Sequence, residues 1–178
     1  MAVFFAVAAV CVILDRLSKL AALRHLADGR RVNLLGDVLG LRLLFNPGAS
    51  LGMGSGSTQV IAVLAIVACV VLCVAAWHTT SIAWTLALSM CCAGALGNLI
   101  DRVYYATGVL DGKVVDFIDY GWSIGNVADI ELFIAAVLIV ALVCADVPFS
   151  QAWRHGADTH EDEEDVHADS ARQGGAGA

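Results

Sequence analysis

Long uncharged segments dominate the chain and alternate with short polar ones. Residues 60–77 and 81–100 contain no charged side chain, and only three residues separate them. A helix needs about 20 mostly apolar residues to cross a bilayer, so we predict two membrane spans joined in a tight hairpin. Residues 2–24 and 126–147 are also mostly apolar, although each carries charged side chains. We predict spans there too, which makes four, with both chain termini on one side.

The polar segments between the predicted spans carry strand and turn signals. The segment from Val32 to Phe45 is rich in Val and Leu with partial alternation, and Asn46-Pro47-Gly48 ends it. Such a run predicts one or two short strands. We therefore predict a small extramembrane β subdomain between helices 1 and 2. Residues 101–125 contain four glycines, and we predict a loop there.

The end of the chain has a different composition. Residues 150–178 have almost no large apolar side chains and contain an unbroken acidic run at 161–165. Such a segment cannot bury enough apolar surface to fold. We predict a four-span membrane domain over residues 1–149, followed by an acidic, disordered tail. This tail holds seven acidic residues and two arginines, and thus −5 of the net charge of −7.

Overall composition excludes several classes of protein. Hydrophobic residues make up 59% of the chain and charged residues 15%. A soluble domain of this size could not bury that much apolar surface. No basic surface is evident, so we expect no nucleic-acid partner. The six cysteines lie in apolar runs, which favours small core residues over disulfides or metal ligands. We predict no metal site.

Polar residues gather on one side of the predicted four-span layout. The ends of spans 1 and 3 and the start of span 4 all fall on that side. An ionisable group at membrane depth costs roughly 2.5–3.5 kcal/mol, so several on one side indicate a site. Helix-end polar groups that cap termini or snorkel are the alternative explanation. The residues concerned are Asp15, Lys19, Asn46, Asn98, Asp101, Arg102, Asp116, Asp119, Asn126 and Asp129.

Three kinds of function fit this layout: a membrane enzyme, a small proton or cation transporter or channel subunit, and a scaffold whose acidic tail binds a partner. A transport path needs polar groups through the whole bilayer. The two central spans carry no charged residue between Val60 and Gly97. This distribution favours a site on one side of the membrane.

Five sequence blocks, which occur in order over about 15–129, resemble those of the bacterial lipoprotein signal peptidases, also called type II signal peptidases. The Gly94–Arg102 block is the most specific. Two positions depart from the family pattern, at Ser50-Leu51 and at Ile130. The matching blocks are Asp15-Arg16-Leu17-Ser18-Lys19, Asn46-Pro47-Gly48-Ala49-Ser50, Gly94-Ala95-Leu96-Gly97-Asn98-Leu99-Ile100-Asp101-Arg102, Val114-Val115-Asp116-Phe117-Ile118-Asp119 and Asn126-Val127-Ala128-Asp129.

The resemblance implies an aspartic endopeptidase of the bacterial cell membrane that works without a cofactor. Its dyad would be Asp116 and Asp129. It would remove signal peptides from prolipoproteins just before a Cys that carries diacylglycerol. Membrane lipids would surround it, and we expect a monomer. The residues that would bind substrate or shape the site are Asp15, Lys19, Asn46, Gly48, Asn98, Asp101, Arg102 and Asn126.

Two of the neighbouring charged residues need separate treatment. Asp119 lies three residues from Asp116 and could also face the site, but its motif position ranks it lower. For Arg102 we expect a structural ion pair with Asp101, since most buried charges are paired. Contact between Arg102 and the substrate is the alternative.

Orientation in the membrane is ambiguous from the sequence. Basic residues favour the cytoplasmic side of a membrane protein, and residues 25–57 and 101–125 contain Arg30, Arg31, Arg42, Arg102 and Lys113. The resemblance implies the opposite, with the active site on the extracytoplasmic side and both termini in the cytoplasm. We adopt the second orientation, because some of these bases can serve the site or lipid head groups.

Overall fold

The structure, a computed structural model, describes residues 1–48 and 58–150. The predicted disordered tail lies outside these residues except for Ser150, and so does the departure at Ser50-Leu51. Four helices and four short strands occur in the described parts. In chain order they are α1 (Ala2–His25), β1 (Val32–Leu35), β2 (Leu39–Asn46), α2 (Thr58–His78), α3 (Ile82–Tyr104), β3 (Val114–Asp119), β4 (Ile124–Gly125) and α4 (Val127–Cys144).

Three of the helices, α2, α3 and α4, are long and apolar enough to cross a membrane. Large apolar side chains such as Val60, Leu64 and Val71 are more than half exposed on α2. An apolar outer surface on this scale is typical of a helix that faces lipid. Helix α1 has 24 residues but includes four charged side chains, so the fourth predicted span stays a prediction.

Helix α3 is the centre of the bundle and packs against α1, α2 and α4. Small residues allow this close packing. A Cβ on Gly94 would lie 2.6 Å from the carbonyl oxygen of Ala128 in α4, and one on Gly97 would lie 2.7 Å from Asp15 Oδ2 in α1. These two glycines therefore let both neighbouring helices approach the same turns of α3.

The β-sheet is larger than the sequence predicts. It is antiparallel in the order β1-β2-β3-β4, and half of its strands come from residues 101–125. The predicted strands between helices 1 and 2 are confirmed as β1 and β2, but the prediction of a loop over residues 101–125 was wrong. Strand β3 is buried along nearly all of its length, so its sequence lacks the alternation of a half-exposed strand. Its pairing with β2, for example Leu44 with Asp116, is long-range.

Helix α3 runs four residues beyond the predicted end at 100, and α4 ends at Cys144 rather than 147. Asp101 and Arg102 therefore lie in the last turn of α3. Asn126 is the N-cap of α4. The bundle thus presents the end of α3 and the start of α4 directly to β3.

The opposite end of the bundle is closed by the segment after α4. Trp84 Nε1 donates a hydrogen bond to the carbonyl of Val147 at 2.9 Å, and the Thr79 hydroxyl donates to the carbonyl of Phe149 at 2.6 Å. The rings of Trp84 and Phe149 pack edge to face. These contacts fix the chain near residue 149 against the turn between α2 and α3.

Candidate active site

The two aspartates that the family resemblance implies as a dyad are brought together by one asparagine. Asp116 lies in β3 and is 1% exposed, while Asp129 lies in the first turn of α4. Asn126 Nδ2 donates to Asp116 Oδ1 at 2.6 Å. The backbone N–H of the same residue donates to Asp129 Oδ2 at 3.0 Å. A strand carboxylate and a helix carboxylate therefore share a single hydrogen-bonding residue.

The local sequence explains this placement. Asn126 and Asp129 form a reciprocal capping box, in which Asn126 Oδ1 accepts the N–H of Asp129 at 3.0 Å. A capping box satisfies two backbone N–H groups that would otherwise lack partners at the start of a helix. Because Oδ1 of Asn126 is used in the cap, its Nδ2 must point away from the helix, toward Asp116.

Asp116 accepts a second hydrogen bond from the other side of the sheet. Asn46, at the end of β2, donates from Nδ2 to Asp116 Oδ2 at 2.8 Å. Its own Oδ1 accepts the backbone N–H of Gly48 at 2.9 Å, which fixes the orientation of the amide. Burial raises the pKa of Asp116 to about 6; the hydrogen bonds from Asn46 and Asn126 oppose this rise, and the charge of Asp129 adds to it.

Asn98, in α3, connects this pair to the helices. Its Nδ2 donates to Asp129 Oδ1 at 2.9 Å, and its Oδ1 accepts from Asn126 Nδ2 at 3.1 Å. Lys19 Nζ also donates to Asn98 Oδ1, at 3.2 Å. All four oxygens of the two carboxylates therefore accept a hydrogen bond. Three of the donors are the side-chain amides of Asn46, Asn98 and Asn126, and the fourth is the backbone N–H of Asn126.

A fully buried cluster of charged side chains on α1 and α3 lies next to the site. Lys19 Nζ lies 2.9 Å from Asp15 Oδ2 and 2.8 Å from Asp101 Oδ2, and all three side chains are 0% exposed. Arg16, which the sequence analysis did not select, also pairs with Asp101. Buried charges need such partners, since an unpaired one is strongly destabilising.

This charge cluster also positions the backbone that carries the aspartates. Asp101 Oδ2 accepts the N–H of Val115, next to Asp116, at 3.2 Å. Asp15 Oδ1 accepts the N–H of Ala128, next to Asp129, at 3.1 Å. Each carboxylate of the cluster therefore holds the residue that precedes one member of the pair.

Arg102 lies at the site but does not pair with Asp101, so the expectation of that ion pair was wrong. Its Nη2 donates to the carbonyl of Gly48 at 3.0 Å and its Nη1 to the carbonyl of Asn98 at 3.2 Å. Asp101 and Arg102 are consecutive in a helix and point in different directions, and Asp101 is already held by Arg16 and Lys19. The buried Nε of Arg102 has no hydrogen-bond partner in the described part of the chain.

Asp119 is engaged elsewhere. Its Oδ2 accepts a hydrogen bond from Arg31 Nε at 3.0 Å and lies 3.6 Å from Arg42 Nε. Its Oδ1 accepts the N–H of Gly121 at 2.8 Å. These contacts lower the pKa of Asp119, most strongly through the Gly121 N–H. Asp119 is the last residue of β3, and its contacts belong to the sheet rather than to the Asp116–Asp129 pair.

Sequence reasoning missed Arg16, Arg31 and Glu131. Arg16 lies inside a recognised block, so its charge was a usable signal. The pairing of Arg31 with Asp119 depends on strand register and had no local signal. Glu131 is 6% exposed in α4, and its Oε2 has no hydrogen-bond partner within residues 1–48 and 58–150.

Within these same ranges, no group of three or more His, Cys, Asp or Glu side chains could hold a metal ion.

Comparison with known proteins identifies the family. A sequence model of the family described as signal peptidase (SPase) II matches residues 7–145. A lipoprotein signal peptidase of Bifidobacterium longum is 56% identical over 149 residues, which cover 84% of this chain and 82% of the relative. One of Rhodococcus jostii is 39% identical over 139 residues, covering 78% and 70%.

Two solved structures also resemble this chain. A bacterial membrane enzyme determined by the in meso method at 2.3 Å resolution superposes with a TM-score of 0.70 and 29% identity, over 82% of this chain and 90% of its own. A second, at 1.9 Å resolution, gives 0.63 and 28%, over 80% and 93%. These matches favour an enzyme over the transporter and scaffold alternatives. The chain belongs to the signal peptidase II family, and it is a hydrolase that cleaves peptide bonds.

Proposed function

We propose that this protein removes signal peptides from prolipoproteins by cutting just before a diacylglyceryl-modified Cys, with Asp116 and Asp129 as its catalytic dyad. Its relatives are lipoprotein signal peptidases, which supports the substrate class. The observation that carries the dyad is the single residue Asn126, which donates hydrogen bonds to both carboxylates.

Peptide hydrolysis by two carboxylates requires that they differ in protonation. Like charges at short range do not both ionise readily, so one carboxyl group of such a pair keeps its proton while the other is ionised. The ionised carboxylate takes a proton from a water molecule, and the protonated one donates to the scissile carbonyl. The water oxygen then attacks the carbonyl carbon to give a tetrahedral intermediate. As this intermediate collapses and the C–N bond breaks, the carboxyl group that took the water proton gives it to the leaving nitrogen, and the other carboxyl group recovers its proton from the intermediate's hydroxyl group.

The surroundings of the two carboxyl groups support one distribution of these roles. Asp129 lies in the first turn of α4, where the helix dipole favours a negative charge, so it is the general base. Asp116 is buried within the sheet, and its pKa is raised to about 6 chiefly by that burial, so it is the group that holds the proton. The fixed amides of Asn46 and Asn98 keep each carboxylate in place during the reaction.

Substrate supply sets the orientation. A lipid-modified Cys of an exported protein lies at the outer leaflet, so the dyad must meet it there. We propose that α1 is a fourth membrane span, that the sheet faces outward and that both termini are cytoplasmic. Part of the basic charge that favours the opposite orientation is used locally, because Arg31 and Arg42 flank Asp119 and Arg102 is buried at the site.

Cleavage of a defined peptide tests the substrate. The purified protein in lipid vesicles is given a synthetic prolipoprotein peptide with diacylglyceryl-Cys, and the products are weighed by mass spectrometry. We expect one cut, on the N-terminal side of the Cys. The matched control peptide has the same sequence without the diacylglyceryl group. Equal cleavage of both peptides, or a cut elsewhere, would contradict the proposed substrate.

Thiol labelling tests the orientation. In a background without the six native cysteines, Asp37→Cys reports on the β1–β2 turn and His78→Cys on the turn between α2 and α3. Both native side chains are exposed. An impermeant thiol reagent added to intact cells should label position 37 and spare position 78. The reverse pattern would place the dyad at the inner leaflet.

A further inference from the structure

A groove leads away from the dyad along the extramembrane sheet. It has a volume of about 390 Å³ and is lined by residues of β2 and of the β3–β4 turn. One end contains Asn46, whose Nδ2 donates to Asp116. The other end contains Arg42, Asp119 and Trp122. We call this cavity the sheet groove.

The length of the sheet groove suits an extended peptide. Asn46 and Arg42 lie four residues apart on one strand, which corresponds to about 13 Å at ~3.3 Å per residue. A substrate chain that leaves the dyad in an extended conformation would place about four residues in this distance. Leu44 and the exposed ring of Trp122, which is 74% exposed, offer apolar contact along the way.

The two arginines near Asp119 differ in how fully they are used. Arg31 donates to Asp119, to Asn33 Oδ1 and to the carbonyl of Asp37. Arg42 has only the 3.6 Å contact of its Nε with Asp119, and its side chain is 48% exposed. Its terminal nitrogens have no hydrogen-bond partner among residues 1–48 and 58–150. Arg42 is therefore the guanidinium that can still bind a group inside the sheet groove.

The charge at the far end indicates which part of the substrate enters. A signal sequence is apolar, and an apolar segment placed against Arg42 would desolvate its charge without replacing the lost hydrogen bonds. The segment after the modified Cys leaves the membrane and carries polar side chains. A guanidinium pairs well with a carboxylate, because its donors match the two oxygens.

We infer that the sheet groove binds the first residues of the mature lipoprotein, and that Arg42 favours an acidic side chain among them. This inference rests on the proposed function and adds a specificity determinant to it. Trp122 packs against the same segment. Neither residue touches the dyad, so both act on the choice of substrate and leave the hydrolytic step itself unchanged.

A charge-swap experiment tests the inference. Diacylglyceryl-modified peptides with one signal sequence carry Asp, Asn or Lys at each of the four positions after the Cys, and kcat/KM is measured for each. At one of these positions we expect Asp to exceed Lys by about fivefold, the size of one partly exposed charge pair. Arg42→Gln should abolish this preference and Arg42→Glu should reverse it.

Arg30→Glu is the matched control, because it makes the same charge change on an exposed side chain outside the sheet groove. It should keep the preference. A preference that survives Arg42→Glu, or that Arg30→Glu reverses equally, overturns the inference while the proposed function stands. Failure of the wild type to cut any of these peptides would contradict the proposed function itself.

Discussion

The two ends of the helix bundle are stabilised by different interactions. At the sheet end, Asp15, Lys19 and Asp101 are completely buried and joined by ion pairs. At the opposite end, the core consists of apolar residues such as Phe4 and Leu88. Buried charge is expensive in a membrane protein, and the opposite end shows that this bundle can close without it. We therefore attribute the charge at the sheet end to the chemistry proposed for that end.

Both ends contain a capped helix, which makes the comparison testable. Asn126 caps α4 at the site, and Ser81 caps α3 at the opposite end by accepting the N–H of Trp84. Each cap side chain accepts one backbone N–H of the first turn of its helix. Only Asn126 also holds two carboxylates.

The largest expected effect separates these two caps. Asn126→Ala removes both the cap and the hydrogen bond to Asp116, so we expect kcat to fall by about 100-fold or more, the size typical of a lost preorganised donor. Ser81→Ala should leave kcat within about twofold. Each variant should lose roughly 1 kcal/mol of stability from its cap. Kinetics on the lipid-modified peptide and urea unfolding in detergent measure the two quantities; equal losses of kcat would remove the distinction.

A second test removes the central cation. Lys19→Met leaves Asp15 without its cation and Asp101 with Arg16 alone. We expect a loss of about 3–5 kcal/mol in the free energy of unfolding, as for other broken buried pairs. The control at the apolar end is Leu88→Met, where a volume-conserving change should cost less than about 1.5 kcal/mol. Similar losses in both variants would mean that the buried cation has no special importance.

A third prediction concerns the dependence of stability on pH. The pKa of Asp116 rises from 3.8 to about 6 in the folded protein. Folding therefore favours its neutral form, so its contribution to the free energy of unfolding is fully present below about pH 4 and is lost as the pH rises through 6. Asp116→Asn should therefore unfold at a higher temperature than wild type at pH 7.5, by the equivalent of about 2–3 kcal/mol. At pH 4 the two should coincide. Thermal scans across this range measure the difference.

Asp111 serves as the control for that experiment, because its pKa is lowered whereas that of Asp116 is raised. Hydrogen bonds from Gly108 and Thr107 lower its pKa, so its contribution is present above the unfolded pKa and is lost as the pH falls. Asp111→Asn should be less stable than wild type at pH 7.5. A variant Asp116→Asn that is also less stable there would contradict the raised pKa.

The smallest effect is expected at Asp119. Its contacts are with Arg31, Arg42 and Gly121 rather than with Asp116. Asp119→Asn should weaken the sheet and lower kcat/KM by less than about tenfold, since it removes neither dyad carboxylate. Steady-state kinetics on the lipid-modified peptide would show this. A near-total loss of activity would instead assign Asp119 to the chemistry.

The sequence predicted the helices and the polar side well, for identifiable reasons. The apolar segments at 60–77 and 81–100 are long enough to define helices by themselves, and helical spacing brings Asn126 and Asp129 together. Strand β3 was missed because it is buried on both faces and pairs with β2 across the chain. The wrong pairing of Arg102 with Asp101 has the same origin: partners on other helices, such as Lys19, cannot be read from neighbouring residues.

The central claim is that Asp116 and Asp129 act as one unit. The direct measurement is single-turnover cleavage of the diacylglyceryl-modified peptide by Asp116→Asn, Asp129→Asn and the double variant. We expect each single variant to lose about 10³-fold or more and the double variant to lose no more than a single one, because residues that act together are not additive. Losses that multiply in the double variant, or near-normal turnover in either single variant, would contradict the shared dyad.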